Sequence, residues 1–383
     1  MRKKSQIRIG IDARFFGPKQ KGLGRYVQKL VENLEKVDLN NKYIIFLRKE
    51  NWHEYKPINP NFKKVLADYQ WYSLKEQIFM PFKISQAKID LMHFPHFNVP
   101  IFYFKPFIIT IHDLILKRFP TSRASTLSPF LYLLKNLAYK IVIFSAVKRA
   151  KKIIAVSNYT KNDILKYFKV KHEKIEVIYE GVSLRAASRV LGSATKKQYL
   201  LYVGNAYPHK NLERLILAFN KLVKDYQMDL QLVLVGELDY FYKRLKKFVH
   251  CSLFTVHSNI IFADFVPDKK LITLYQNASA YVFPSLYEGF GLPPLEAMAH
   301  GLPVVCSNSS CLPEILGKSA VYFNPENVND MAKKIQQVLE DKKLQKKIIN
   351  QGFKVIKKYS WFKMAQEIMK VYSLWGLSPK DML

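Results

Sequence analysis

Acidic residues are scarce in this 383-residue chain: 30 Asp and Glu stand against 61 Lys and Arg, a net charge of +31. The deficit does not make a disordered tail, because 49% of residues are apolar and 14% aromatic, enough to build a core. Cysteine is scarcer still. Cys251, Cys306 and Cys311 are odd in number and have neither Cys-x-x-Cys spacing nor a nearby histidine pair. A disulfide framework and a zinc site therefore lack support, and a reducing compartment is expected. No uncharged apolar run approaches the ~18 to 20 residues that cross a bilayer, so no spanning segment is expected. Met1 to Lys4 is basic in the manner of a leader, yet Arg8 interrupts before an apolar stretch of ~7 residues can form, so none is expected. Gly-x-Gly-x-x-Gly, the dinucleotide fingerprint, is also missing.

What is present has the length of two domains of roughly 190 residues each. Residues 1–190 carry 36 basic and 14 acidic side chains, and residues 191–383 carry 25 and 16, so the first half is much the more basic. Between them Arg185 to Gln198 is small, polar and without apolar period, which predicts a linker and domains at 1–190 and 191–360. Short apolar runs rich in Ile, Val and Tyr alternate with helical patterns, as in parallel strands covered on both faces by helices. The runs are Ile7–Ile11, Tyr43–Leu47, Ile89–His93, Phe107–Ile111, Ile153–Val156 and Ile175–Ile178, then Tyr199–Val203, Leu230–Val235, Asn259–Phe262, Ala280–Phe283 and Pro303–Cys306. Each half reads as a doubly wound α/β unit, and such sheets bind ligands beyond the carboxyl ends of their strands. The chemistry is therefore sought just after each predicted strand.

After the first strand come Asp12-Ala13-Arg14 and a turn with Gly22, Leu23 and Gly24 leading into a helix, suited to an anion such as a diphosphate and equally to an ordinary tight turn. Phe107–Ile111 ends in His112-Asp113, an imidazole and a carboxylate at a strand end, although Asp113 also fits a turn cap. Tyr199–Val203 is followed by Gly204, Asn205 and Lys210 before a helical pattern. A lysine at a helix start opposes the helix dipole unless an anion joins it. The densest signal runs from Phe283 to Met298. Glu288 follows a strand, Gly289, Phe290, Gly291 and Leu292 lead to Pro293-Pro294 in a helix's first turn, and Glu296 lies about one turn inside. Two carboxylates for vicinal hydroxyls flank backbone suited to phosphate oxygens, so the preferred ligand carries both sugar and phosphate. A nucleotide sugar is such a ligand.

Glu288 and Glu296 form Glu-x7-Glu, and with this motif the chain resembles the retaining glycosyltransferases of family 4, which have the GT-B fold of two Rossmann-like domains facing a central cleft. The resemblance extends over the first glycine turn, His112, Ala155 to Thr160, Ile178 to Val182 and Gly204 to Asn211, and looks closest to mannosyltransferase-like members. It implies that Glu288 lies near the transferred sugar, Glu296 holds the ribose hydroxyls, Lys210 contacts the diphosphate, His112 lies beside the donor sugar, and Gly22 to Gly24 face the phosphates. Where many members carry an arginine this chain has Asn205, and Arg14, Arg25 or His209 is a candidate replacement. Asp-x-Asp is absent, so transfer without a metal is expected, with Lys210 and the segment Gly289 to Leu292 stabilising the leaving diphosphate. No cofactor is expected beyond the nucleotide sugar, for which resemblance favours GDP-mannose.

In this fold the N-terminal unit receives the acceptor, and the excess charge lies there. Ser128-Pro129 reads as the start of a helix that is apolar at Phe130, Leu131, Leu133, Leu134, Leu137, Ile141, Val142 and Phe144, interspersed with Lys135, Lys140, Lys148 and Arg149. Such a helix suits an anionic bilayer and a glycan or lipid-linked acceptor, or else a core-facing helix with solvated lysines. The expected location is cytoplasmic, peripheral on the inner face of the plasma membrane. Other readings are a sugar-nucleotide epimerase, a phosphorylase, or a basic nucleic-acid-binding protein, the last without a recognition motif. The apolar pattern of residues 361–376 predicts a last helix packed back on the first unit.

Overall fold

The computed structural model describes residues 6–119, 128–183, 197–251 and 257–374. Among these, one compact unit holds residues 6–114, 128–181 and 359–374, and a second holds 115–119, 182–183 and the residues from 197 to 358. The division falls at Gly181/Val182 rather than at 190/191, and the short helix Ile115–Arg118 groups with the second unit. Most of the expected linker, like Met1 to Lys4 and Trp375, lies outside the described residues.

The first unit contains a seven-stranded sheet: β1 Arg8–Asp12, β2 Lys42–Leu47, β3 Phe62–Leu66, β4 Leu91–Phe94, β5 Phe107–Ile111, β6 Lys152–Ala155 and β7 Ile175–Val177. Its order is β3-β2-β1-β4-β5-β6-β7, and every described pairing is parallel. The second unit has six parallel strands: β8 Tyr199–Val203, β9 Gln231–Val235, β10 Ile260–Ala263, β11 Ala280–Phe283, β12 Val304–Ser307 and β13 Ala320–Phe323. They run β10-β9-β8-β11-β12-β13. Strand order reverses between β1 and β4 and again between β8 and β11, which places one ligand-binding crevice in each unit at those strand ends. The central strands β4, β5, β11 and β12 are buried throughout, as expected for strands covered on both faces.

Two strands escape the sequence pattern, β3 and β13, and both are sheet edges. β3 reads Phe-Lys-Lys-Val-Leu, and its lysines belong on an edge, where charge discourages further pairing. The helix Pro129–Arg149 departs from expectation in another way. Its stretch Phe130–Arg149 has a mean hydropathy of 1.5 and is long and apolar enough to cross a membrane, with 22% of that window buried. Its last turns are nevertheless core: Ile143, Ala146 and Val147 pack with β5 and β6 residues.

The helix Trp361–Ser373 packs along the helix Lys21–Val37 within the first unit. It is fixed there by a buried polar chain. Tyr372 Oη lies 2.6 Å from His93 Nδ1, His93 Nε2 lies 2.9 Å from Thr110 Oγ1, and Thr110 Oγ1 lies 3.2 Å from Tyr26 Oη. Burial, helped by the charge of His112, pushes His93 down to about 3, so the folded imidazole is neutral at pH 7. The unfolded chain binds this proton below about pH 6.5 and the folded chain does not, so stability falls as pH drops from there, by about 1.4 kcal/mol per pH unit for such a group. Thermal melts between pH 7.5 and 5 should show Tm falling on acidification, and falling less steeply in His93→Gln; parallel slopes would show that His93 is not the buried neutral group described.

Candidate active site

In the second unit, β8 runs out at Val203 and the chain turns through Gly204 to Tyr207 into the 3-10 turn Pro208–Lys210, with Asn211 in the left-handed region (φ 61°) ahead of the helix Leu212–Lys224. β11 ends at Phe283 and a loop leads to the helix Leu292–Ala299, whose first turn holds Pro293 and Pro294. These loops flank the switch between β8 and β11, and one backbone bond and a side-chain amide lock them together. The Leu286 N–H donates to the His209 carbonyl (2.8 Å), and the Asn211 side-chain amide donates to the Pro284 and Pro325 carbonyls (3.1 and 2.7 Å).

That clamp brings Lys210 Nζ within 2.5 Å of Glu288 Oε1, with 13% and 12% of the two side chains exposed. The Glu288 N–H donates to Ser310 Oγ at 3.0 Å, a contact no sequence signal announced. The anion that offsets Lys210 against the helix dipole is thus the Glu288 carboxylate. Glu296 stands on the helix Leu292–Ala299, partly buried. Burial first, then Tyr275, Tyr202 and Glu296, raise the Tyr281 phenol well above its ordinary range, and Tyr281 Oη donates to the Val203 carbonyl at 3.2 Å. Glu288 therefore sits with Lys210 in the loops that follow β8 and β11, and Glu296 stands on the helix that begins after that loop.

The remaining second-unit candidates divide by role. Gly291 has φ 89° and caps its helix, and a Cβ there would meet Leu312 Cδ2 at 2.8 Å, so glycine is required by backbone and packing together. Gly289 lies earlier in the same loop, and Leu292 opens the helix. Phe290 is 4% exposed and belongs to the buried core. Asn205 shapes the turn, its carbonyl accepting from Tyr202 Oη (2.7 Å). His209 is not a substitute cation. Burial and the neighbouring Lys210 push it down to about 4, so it is neutral at pH 7.

In the first unit, Gly22, Leu23 and Gly24 lie inside the first turn of the helix that begins at Lys21 rather than in a loop before it. A Cβ on Gly24 would meet the carbonyls of Gly17 and Phe15, so its bareness serves local packing; Gly22 is exposed with open space beside it. Arg14 is likewise committed elsewhere. Fully buried, it donates to Asp12 Oδ1 (2.7 Å), Asp12 Oδ2 (2.6 Å), Glu76 Oε1 (2.5 Å) and the Tyr69 carbonyl (3.1 Å). Burial opposes its charge, yet the two carboxylates hold its pKa above the ordinary value, so it remains a structural cation. Arg25 sits part-exposed on the helix Lys21–Val37.

His112 follows β5, and both its ring nitrogens are engaged: Nδ1 lies 2.9 Å from Glu180 Oε1 and Nε2 lies 3.0 Å from the Pro95 carbonyl. Glu180 follows β7 and Pro95 follows β4, so three strand ends converge on this ring. Among the described residues no three His, Cys, Asp or Glu side chains gather in a group able to hold a metal ion.

The profile described as Glycosyltransferase Family 4 matches residues 21–186, and that described as Glycosyl transferases group 1 matches residues 185–355. O-antigen chain mannosyltransferase B of Escherichia coli is 29% identical over 300 residues, 76% of this chain and 76% of that protein. O-antigen chain mannosyltransferase RfbU of Salmonella typhimurium is 32% identical over 232 residues, 60% of this chain and 63% of that protein. Among solved structures, a sucrose-phosphate synthase from Thermosynechococcus elongatus aligns with a TM-score of 0.77 at 20% identity, covering 97% of this chain and 99% of that one. Anabaena HepE, solved with UDP and glucose, aligns at 0.72 with 17% identity, over 96% and 100%. At those identities the two structures speak for the fold. The abutting profile matches, the switch-point geometry of both sheets and the Glu-x7-Glu pair agree, and the chain belongs to the family-4 glycosyltransferases of the GT-B fold.

Proposed function

We propose that this enzyme moves a hexosyl group, in the first place mannosyl, from a nucleotide sugar to a glycan or lipid-linked acceptor in cell-surface polysaccharide synthesis, with retention at the anomeric carbon. The observation that carries the reading is the Lys210–Glu288 pair at the end of β8 and β11. The O-antigen relatives support the mannosyl and polysaccharide parts, and GDP-mannose is the donor they favour. UDP and UDP-glucose are found with Anabaena HepE and make a UDP-hexose the alternative donor.

In the proposed step, an acceptor hydroxyl attacks the sugar C1 from the face the diphosphate leaves. The C1–O bond breaks, its electron pair departs with the diphosphate, and the acceptor's proton passes to a leaving-group oxygen. Negative charge therefore grows on the diphosphate and must be met by fixed positive charge. Lys210 supplies it by exchanging its carboxylate partner for phosphate, aided by the helix N-terminus at Gly291 and Leu292. Glu288, released from the lysine, accepts sugar hydroxyls, and Glu296 the ribose hydroxyls. No metal is assigned a role. Lys210→Ala and Glu288→Ala should each lower turnover at least tenfold, about 1.4 kcal/mol of transition-state stabilisation; near-normal turnover in both variants would retire the assignment. In a thermal-shift panel, GDP-mannose should raise Tm more than UDP-glucose or dTDP-rhamnose, because a ligand bound only by the folded state stabilises it. A larger shift with another nucleotide sugar would replace the donor.

The acceptor reading extends to the membrane. The helix Pro129–Arg149 exposes Phe130, Leu133, Leu137 and Ile141, Phe102 and Phe104 are exposed nearby in sequence to β5, and residues 128–151 contain no acid. Arg149 Nη1 donates to the Ile101 carbonyl (2.7 Å) and its guanidinium stacks over Phe104, which joins the helix to that loop. Because Ile143, Ala146 and Val147 are tied into the core, the helix is suited to lie on a bilayer rather than to cross one. Its lysines complement anionic headgroups at about 1 kcal/mol each. The proposed place of work is the cytoplasmic face of the plasma membrane. The protein should float with anionic liposomes at low salt and be released at high salt; equal recovery without liposomes would sink this part of the reading.

A further inference from the structure

We infer that Glu180 fixes His112 as an imidazolium, so that this histidine serves the reaction as a standing positive charge and not as a proton acceptor. The inference rests on the proposed placement of His112 beside the transferred sugar and deepens it by assigning Glu180 as a positioning residue. Glu180 entered the sequence reading only as part of a motif, with no role attached.

Donors and acceptors fix the state of the His112 ring. Nδ1 faces a carboxylate oxygen at 2.9 Å and Nε2 faces a backbone carbonyl oxygen at 3.0 Å. A carbonyl has no proton to give, and an ionised carboxylate has none either. A neutral imidazole carries a single N–H and satisfies one of these contacts, setting a lone pair against oxygen in the other. The imidazolium satisfies both. With both N–H groups spent, no nitrogen is left to take the proton of an acceptor hydroxyl, and the ring contributes charge alone. The pair is also oriented: Glu180's side chain is 6% exposed and the imidazole 17%, so the positive member is the outward one.

The surrounding groups agree with this state. Burial alone would discharge His112, but the hydrogen bond and charge of Glu180, the Pro95 carbonyl and the charge of Asp113 raise its pKa above the ordinary value. His93, fully buried, and His96, partly buried, are neutral, pushed down to about 3 by desolvation and by the charge of His112 itself. Tyr26 sets its ring edge-on to the imidazole at 4.5 Å, and its buried phenol stays protonated. Thr160 Oγ1 donates to the His112 carbonyl at 3.3 Å, fixing the backbone behind the ring. The imidazolium, the outward member of its pair, sets a fixed positive charge at the β5 strand end, the kind of preorganised charge that meets negative charge developing in a reaction.

Glu180→Gln is the informative substitution, because the amide can turn its NH2 toward Nδ1 and keep the ring in place while removing the charge that holds the proton. In full-length protein labelled with 15N-histidine, with His112 assigned by its loss in His112→Gln, both ring nitrogens should show imidazolium shifts at pH 7.5, and Glu180→Gln should move them to the neutral pattern. Turnover in Glu180→Gln should fall at least tenfold with donor KM changed less than threefold, and Glu180→Asp should recover part of it. Since a raised pKa is lost from the charged side as pH rises, wild-type activity should decline as pH climbs through the His112 value, and Glu180→Gln should decline at lower pH. A neutral His112 in the wild type, or undiminished turnover in Glu180→Gln, would overturn the inference while leaving the histidine's placement intact. Undiminished turnover in His112→Gln would instead remove the histidine from the reaction, and the inference with it.

Discussion

A lysine and a glutamate 78 residues apart share one proton-rich contact at the point where β8 and β11 part company, and the second unit's chemistry is organised around it. Such a pair is costly to strip of water and costlier still to break, because the survivor keeps its charge in a poorly solvated place. The pair holds the two loops in one register, and the Leu286 N–H to the His209 carbonyl and the Asn211 side-chain amide to the Pro284 carbonyl hold that register from behind. In the proposed reaction, a diphosphate entering such a site would bring the anion that the lysine needs and free the carboxylate for sugar hydroxyls, so that one contact becomes two.

The acids of the first unit show where its positive character comes from. Asp12, Glu35, Asp38, Glu76, Asp163 and Glu180 are all buried, and most of their bonds are structural. Glu35 accepts from Tyr55 Oη and the Ile58 N–H, and Asp38 accepts from Tyr43, Asn40 and Asn41. Six of the fourteen acids before residue 190 are thereby withdrawn from the surface, which is left more basic than composition alone implies. The exposed apolar residues of the helix Pro129–Arg149 stand on that surface, and these two features together are what the proposed membrane contact rests on.

How much of this was legible in the sequence follows the range of each interaction. Strands buried on both faces announce themselves as apolar runs, so the interior strands were readable, with Phe107–Ile111, Tyr199–Val203 and Ala280–Phe283 matching to the residue. Of the edge strands, β7 and β10 were readable and β3 and β13 were not; in β3 edge lysines interrupt the run. The site candidates carried by local pattern, Lys210, Glu288, Gly291 and His112, stand at strand ends. Those requiring knowledge of a partner went astray: Arg14 looked free until Glu76 met it, and His209 looked cationic until burial discharged it. Ser310 and Glu180 reach the site through folding topology, across 22 and 68 residues, and no spacing rule reveals such contacts.

The same arithmetic of burial and partner separates the three cations at strand ends. Arg14, His112 and Lys210 each follow a parallel strand and each meets a carboxylate from a distant element, whereas His93, fully buried, and His96 and His209, partly buried, form no ion pair among the described residues and are neutral. A buried basic group in this fold is charged where a carboxylate has been brought to it, and otherwise is not. Exposure then sorts the charged ones. Arg14 is sealed, with every contact inward, and can only hold loops in place. Lys210 and His112 keep an open fraction of their side chains, enough for a ligand to touch a charge whose desolvation has already been offset by its partner. Preorganised charge of that kind needs no reorganisation when the leaving group turns negative, and that property, more than the identity of any single residue, is what the strand ends of the two sheets have in common.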